Sequence, residues 1–183
     1  MNPVYLIYFL LAVIGLIILW AYVRCFFQRL VVLVKVKALC RKHDFRFTAH
    51  RPLWFLGSRY LKGADFSIET DKAVFSVKLF GCLWPLKSLI LREHGEYIFR
   101  AHANFLKAIL DIYDGYQHPL PRYHFPEAGE KPQRKLLLIS PMPLEILMQP
   151  SNGQEGVSGT GDMICGMEIA NIDHLLRVAE SAK

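Results

Sequence analysis

Residues 1–23 contain no charged side chain, and this feature constrains the chain more than any other. A helix of about 20 apolar residues spans the roughly 30 Å hydrocarbon layer of a bilayer, because each residue rises 1.5 Å. In lipid, the backbone N–H groups of an isolated span must be bonded within the segment, which favours a continuous helix. The sequence therefore predicts one transmembrane helix over 1–23. Aromatic residues near both ends match the interfacial belts of such helices: Tyr5, Tyr8, Trp20 and Tyr22.

Two other interpretations of this segment are a cleavable signal peptide and a buried core helix. A signal peptide begins with a positive region, whereas no Lys or Arg precedes Arg24. It also ends in small residues, and Ala21-Tyr22-Val23 offers no A-x-A pattern. The spanning helix is the interpretation that the residues favour.

The distribution of charge predicts the orientation of the chain. Residues 24–62 carry ten basic side chains against one acidic, a net charge of +9, and the remaining residues carry −3. Basic residues close to a span stay on the cytoplasmic side. We therefore expect the N-terminus outside the cell membrane and the C-terminal domain in the cytoplasm.

The basic region 24–53 is predicted to form a juxtamembrane neck. Residues 26–41 fit an amphipathic helix lying along the headgroups, although the β-branched run 31–34 leaves a strand as the alternative. Anionic lipid headgroups are the expected partner of this neck, and nucleic acid is the less favoured one. The residues predicted to contact the membrane surface are Arg24, Arg29, Lys35, Lys37, Arg41 and Lys42.

No cofactor or metal is predicted. The cysteines Cys25, Cys40, Cys82 and Cys165 are widely separated, so free thiols are expected, and Cys25 at the membrane edge is a conceivable lipidation site. Cys40 with His43 and His50 is the one spacing that suggests metal, but it lacks the second close pair of a zinc site. The glycines of 153–161 lack the Gly-Lys-Ser/Thr ending of a phosphate-binding loop.

Residues 54–183 are predicted to form an α+β domain of antiparallel hairpins with a C-terminal helix. Alternating apolar residues indicate a hairpin over 65–80 and a second one that joins 88–91 to 97–99. Asn104 is a candidate cap for a short helix. Further expected elements are a Pro-rich connection at 114–133, strands at 135–139, 144–148 and 163–169, a Gly/Ser loop at 151–161, and a terminal helix capped by Asn171 or Asp173.

The first hairpin resembles the core of the restriction-endonuclease-like family. A helix is followed by Gly63-Ala64-Asp65, and the next strand reads Ser76-Val77-Lys78. The resemblance implies that Asp65 holds Mg²⁺ and that Lys78 assists the attacking water. Ser76 stands where the family has a second acid, so metal binding would need a substitute such as Glu69.

The general layout also resembles small single-pass membrane proteins of Gram-positive bacteria, which implies no activity. The sequence thus favours a membrane-anchored, non-catalytic interaction module at the inner membrane face. The alternative is a degenerate or active metal-dependent phosphodiesterase using Asp65 and Lys78. In the first interpretation a membrane-proximal contact surface combines aromatic and basic residues: Phe45, Phe47, Trp54 and Phe55 with Arg46, Arg51 and Arg59.

Overall fold

The computed structural model describes residues 3–56, 63–81, 87–92, 95–101, 118–119, 123–127, 129–150 and 156–183. It confirms a mixed α+β chain with a long apolar N-terminal helix, a sheet domain and a C-terminal helix. The helices are α1, Pro3–His43, and α2, Ile172–Ser181. The strands are β1 Arg46–Ala49, β2 Phe66–Glu69, β3 Val74–Phe80, β4 Lys87–Arg92, β5 Glu96–Ala101, β6 His118–Pro119, β7 Gln133–Ile139, β8 Glu145–Gln149, β9 Gly156–Ser158, β10 Met163–Ile164 and β11 Met167–Ala170.

Helix α1 is continuous, but its two halves have different surroundings. Every residue of 4–20 is exposed except Val13, which is partly buried. The second half has a buried stripe at helical spacing that packs against the domain. This half is helical throughout, which excludes the strand alternative for 31–34. The stripe consists of Ala21, Cys25, Val32, Val36, Leu39 and Cys40.

The strands form two sheets. The first has the order β1-β2-β3-β7-β11-β10, and the second has the order β6-β5-β4-β8-β9. Both predicted hairpins are present, as the antiparallel pairs β2–β3 and β4–β5. The pairs β3–β7, β7–β11 and β4–β8 are parallel, so the expectation of antiparallel hairpins alone was incomplete.

The predicted helix over 26–41 is present as the continuation of α1, which ends at His43, but its buried side packs in the domain core rather than along headgroups. The rest of the neck 24–53 includes Arg46–Ala49, which pairs with β2 as an edge strand. Two further local predictions need correction. The expected single strand 163–169 is two strands, because Cys165 and Gly166 have φ of 47° and 74° and form a tight hairpin turn. Part of the expected Gly/Ser loop, Gly156–Ser158, is a strand paired with β8.

Other predictions fall partly or wholly outside the described residues. The candidate helix after Asn104 lies outside them, as do large parts of the 114–133 connection and of the 151–161 loop. The choice of cap for the terminal helix is resolved in favour of Asn171. Its side chain accepts a hydrogen bond from the backbone N–H of His174 at 2.7 Å.

The domain has three layers. Helices α1 and α2 pack on one face of the first sheet, where Val36 and Leu175 meet Phe75 and Leu136 in one apolar cluster. The opposite face packs against the second sheet in another cluster, whose largest fully buried side chain is that of Tyr97. Four residues of the buried stripe belong to the first cluster, so the second half of the long helix is part of the domain core: Val32, Val36, Leu39 and Cys40.

Candidate functional site

Asp65 and Lys78 meet on the first hairpin, as the family resemblance implies. Asp65 immediately precedes β2, and Lys78 lies on β3, with the Asp65 N–H donating to the Val77 carbonyl at 2.9 Å. The Lys78 Nζ is 3.2 Å from each carboxylate oxygen of Asp65. Neither side chain has any exposed surface. The two groups therefore form a fully buried ion pair.

The remaining bonding capacity of this pair is used by neighbouring groups. The Leu79 N–H donates to Asp65 Oδ2 at 2.8 Å, and Arg51 Nη1 lies 3.3 Å from Oδ1. Lys78 and Arg51 both donate to the carbonyl of Gly63, at 3.1 and 2.8 Å. One carboxylate thus receives two cations and a backbone N–H, which leaves it poorly placed to coordinate a metal ion.

Burial shifts both members of the pair toward their neutral forms. It raises the pKa of Asp65, and the opposing effects of Lys78, the Leu79 N–H and Arg51 do not fully offset it. It lowers the pKa of Lys78, again against the attraction of Asp65. Burial of the pair therefore costs desolvation free energy, and the hydrogen bonds to both side chains offset that cost.

The position of the second metal ligand is occupied by neutral groups. Ser76 is buried, accepts from Gln133 Nε2 at 2.8 Å, and lies 3.5 Å from the Ser67 hydroxyl. Glu69 lies at the far end of β2 from Asp65, about 13 Å along the strand, and pairs with Lys131 at 2.9 Å. In the described part of the chain, no group of three or more His, Cys, Asp or Glu side chains is placed to hold a metal.

The six basic residues predicted to contact the membrane have different roles in the structure. Lys35 and Lys42 pair with Asp173 and Glu180 of α2, at 3.1 and 3.4 Å. The Arg29 Nε donates to the Ser140 carbonyl at 3.4 Å. The other three are exposed and have no ion-pair or hydrogen-bond partner among the described residues: Arg24, Lys37 and Arg41.

The predicted aromatic contact surface is largely internal. Phe45 and Trp54 are buried in the core cluster beneath α1, and Phe47 and Phe55 pack against that cluster. The Trp54 ring lies 4.3 Å from that of Phe66, between ring centroids. These four side chains therefore serve mainly as packing, and Arg59 lies outside the described residues.

Cys40, His43 and His50, whose spacing suggested a metal site, have other contacts in the structure. Cys40 is buried in the core, and His43 stacks on Phe45 and bonds Glu180 at 3.3 Å. His50 bonds the Ser67 hydroxyl at 2.7 Å. These partners are structural, and the three side chains point to separate neighbours.

One charged cluster was not predicted from the sequence. Glu168 on β11 is bonded by Arg134 at 2.6 Å and by His174 at 2.6 Å, so it links β7, β11 and α2. Burial alone would raise the pKa of Glu168, but the hydrogen bonds from His174 and Arg134 outweigh it and lower the pKa. No local sequence pattern indicates this contact, because Arg134 and Glu168 meet only through the parallel pairing of β7 with β11.

A cavity of about 380 Å³ lies beside α1 at the level of Arg24 and Gln28. It is also lined by Ser140 and Met142, which follow β7, and by Asn171 at the start of α2. It lies at the carboxyl ends of the parallel strands β7 and β11, a frequent place for ligands in mixed sheets.

Comparison with known proteins identifies no relative. No protein-family model matches the chain, and no curated protein or solved structure shows significant similarity to it. Function must therefore be argued from the chain's own geometry.

Proposed function

We propose that this chain is a single-pass membrane protein that holds a non-catalytic interaction domain at the inner face of the cell membrane. The observation that carries the proposal is the exposure of the apolar half of α1. The helix has a stretch of mean hydropathy 2.7, only 6% of which is buried within the protein. A core helix of a soluble protein is covered by its own domain, whereas this segment needs an external apolar medium.

The basic residues that follow the span support a cytoplasmic domain. Arg24 is the first charged residue of the chain, and Lys37 and Arg41 lie within the stretch in which positive charge directs orientation. Opposite orientation would require the transfer of this whole basic segment across the membrane.

Helix geometry limits which of these residues touch lipid. In a helix along the membrane normal, Lys37 lies about 20 Å and Arg41 about 26 Å beyond Arg24. Electrostatic attraction to headgroups is screened over about 8 Å at physiological salt. Headgroup contact is therefore proposed for Arg24, while the more distant basic residues act on orientation and on docking of the domain.

The alternative, a phosphodiesterase of the restriction-endonuclease-like type, has one observation in its favour. Asp65 and Lys78 are adjacent, as that family's chemistry requires. Against it, Asp65 is saturated by Lys78, Arg51 and the Leu79 N–H, and the second acid is replaced by Ser76. A structural role fits these two buried residues better than catalysis does.

Charged substitutions in the exposed half of α1 test the anchor. Leu10 and Ile14 are exposed, so Leu10→Arg with Ile14→Arg leaves the packing of the domain intact. Each Arg costs about 2.5 to 3.5 kcal/mol at the centre of a membrane helix. We expect the wild-type full chain to stay in the membrane fraction after a carbonate wash, and the double variant to be lost from it.

The matched control is Val157→Arg, at an apolar side chain that is 83% exposed on β9. This variant should fractionate like the wild type. Wild-type chain released by the wash, or a double variant retained as firmly as the control, would contradict the proposal.

A further inference from the structure

The first loop beside the exit of α1 from the domain carries exposed apolar side chains. Residues 51–56 contain a 3₁₀ helix, Trp54–Leu56, which packs on α1 through Phe55, whose ring centroid is 6.1 Å from that of Phe26. In the same loop, Leu53 is 63% exposed and Leu56 is 39% exposed. The loop is thus fixed to α1 while its leucines face outward.

The conformation of Leu53 reinforces this observation. Its φ is 54°, in the left-handed region that non-glycine residues seldom occupy. A strained backbone that presents a leucine to the outside is not explained by packing within the domain. Backbone outliers of this kind cluster at functional sites.

A second loop lies at the same level of α1. Residues 140–144 are held by the Arg29 bond to the Ser140 carbonyl, and Met142 shares the cavity wall with Arg24 and Gln28. Met142 is 38% exposed and Leu144 is 61% exposed. This loop also directs apolar side chains outward.

The two loops flank α1 where its exposed apolar half ends. Phe26 and Gln28 differ by only about 3 Å in height and lie about 160° apart around the helix. One contacts the first loop and the other borders the second. Two loops with exposed apolar side chains therefore lie on different sides of α1, next to the segment proposed to lie in lipid.

We propose that the loops 51–56 and 140–144 insert their apolar side chains into the interfacial layer of the bilayer. This inference rests on the proposed anchor and specifies how the domain is seated against the membrane. The occupant is the bilayer, because the loops meet α1 between Arg24 and Arg29. These contacts lie within about 8 Å, along the helix, of the boundary between its uncharged and basic parts. Interfacial insertion of this kind reaches about 5–10 Å into the headgroup and acyl boundary.

Insertion of the two loops would fix the orientation of the domain relative to the membrane. A single span can tilt in the bilayer and would carry the domain with it, because the second half of α1 is part of the domain core. Two inserted loops restrict this tilt. Leu53 and Leu144 are the most exposed apolar residues of the two loops and are expected to lie deepest.

The test uses the full chain with an environment-sensitive fluorophore attached to single introduced cysteines. Cys82→Ser and Cys165→Ser provide the parent, whose own labelling is measured as background. The labelled variants are Leu10→Cys, Leu53→Cys, Leu144→Cys and Val157→Cys. Each is reconstituted in phosphatidylcholine–phosphatidylglycerol vesicles that contain lipids with nitroxide quenchers at shallow or deep acyl positions.

We expect the labels at Leu53 and Leu144 to lose emission chiefly to the shallow quencher and the label at Leu10 to the deep one. The label at Val157 should be insensitive to both. If the labels at Leu53 and Leu144 behave like the label at Val157 while the label at Leu10 is quenched, the proposed loop insertion is wrong and the proposed membrane anchor is retained. If Leu10 is also insensitive, the proposed function itself fails.

Contact with a second copy of the chain would give a different result. In that case emission from Leu53 and Leu144 would change with the protein-to-lipid ratio and would not respond to the nitroxide lipids. This outcome would also contradict the proposed loop insertion.

Discussion

The ammonium nitrogen of Lys78 lies 3.2 Å from both carboxylate oxygens of Asp65, and neither residue has exposed surface. The pair joins β3 to the residue that precedes β2, and Arg51 adds a second cation at 3.3 Å. A buried pair of this kind contributes little net stability, but removal of one partner leaves an uncompensated charge. The arrangement accounts for both residues without assigning them a reaction.

Lys78→Met should strongly destabilise the domain. It removes the donor to Asp65 and to the Gly63 carbonyl, and breaking a buried ion pair costs about 3 to 5 kcal/mol. Urea unfolding of the full chain in detergent, followed by tryptophan fluorescence, measures the effect. Lys72→Met, at an exposed lysine in the turn of the same hairpin, should change the unfolding free energy by no more than about 0.5 kcal/mol. Equal effects of the two substitutions would show that the buried pair is unimportant.

Magnesium should neither stabilise the protein nor support nucleic-acid cleavage. Asp65 has no free coordination position in the structure, and Ser76 supplies no charge. Thermal unfolding with and without Mg²⁺, together with a labelled-oligonucleotide cleavage assay, tests this. Magnesium-dependent cleavage that disappears in both Asp65→Ala and Lys78→Ala would instead establish the phosphodiesterase.

Docking of α1 on the domain should depend on apolar contact more than on its ion pairs. Val36 is fully buried, and Val36→Ala should cost about 2 kcal/mol. Lys35→Ala and Lys42→Ala break exposed pairs and should each cost less than about 1 kcal/mol. The same urea titration compares the three variants. A lysine variant less stable than Val36→Ala would reverse this ranking.

Glu168 should make stability decrease on acidification. Because its pKa is lowered in the folded protein, its contribution is fully present above the unfolded value of about 4.3 and is lost as the pH falls through the folded value. We expect Glu168→Gln to flatten the decline of stability below about pH 4.5, as measured by the thermal midpoint between pH 3 and pH 7.

The control for this prediction is Glu130→Gln, at an exposed carboxylate. It should retain the pH dependence of the wild type. A wild-type profile in Glu168→Gln would contradict the assigned role of the Arg134 and His174 hydrogen bonds.

The sequence pattern predicted the strands that pair with their neighbours along the chain. Alternation gave both hairpins, and the apolar run of 135–139 corresponds to most of β7. The parallel pairing of β7 with β3 joins residues more than fifty positions apart, and no periodicity encodes it. The turn at Cys165 was missed because a cysteine with positive φ has no compositional signal.

The candidate site was predicted in position but not in environment. The family resemblance implied that Asp65 and Lys78 meet at one hairpin, and their side chains are adjacent there. The resemblance carried no information about Arg51, which approaches from the loop after β1, or about the burial of the pair. Burial of this pair is a tertiary property, and it is burial that disfavours the metal site.

Labelling of Cys165 with a membrane-impermeant maleimide tests the central claim most directly. Cys165 is exposed in the domain, whereas Cys25 and Cys40 are buried, and Cys82→Ser removes the fourth thiol. In bacterial spheroplasts that contain the full chain, we predict that Cys165 reacts only after the membrane is permeabilised. A cysteine introduced at Asn2 should react without permeabilisation. Reaction of Cys165 in intact spheroplasts, or protection of the residue-2 cysteine, would contradict a single-pass protein with a cytoplasmic domain.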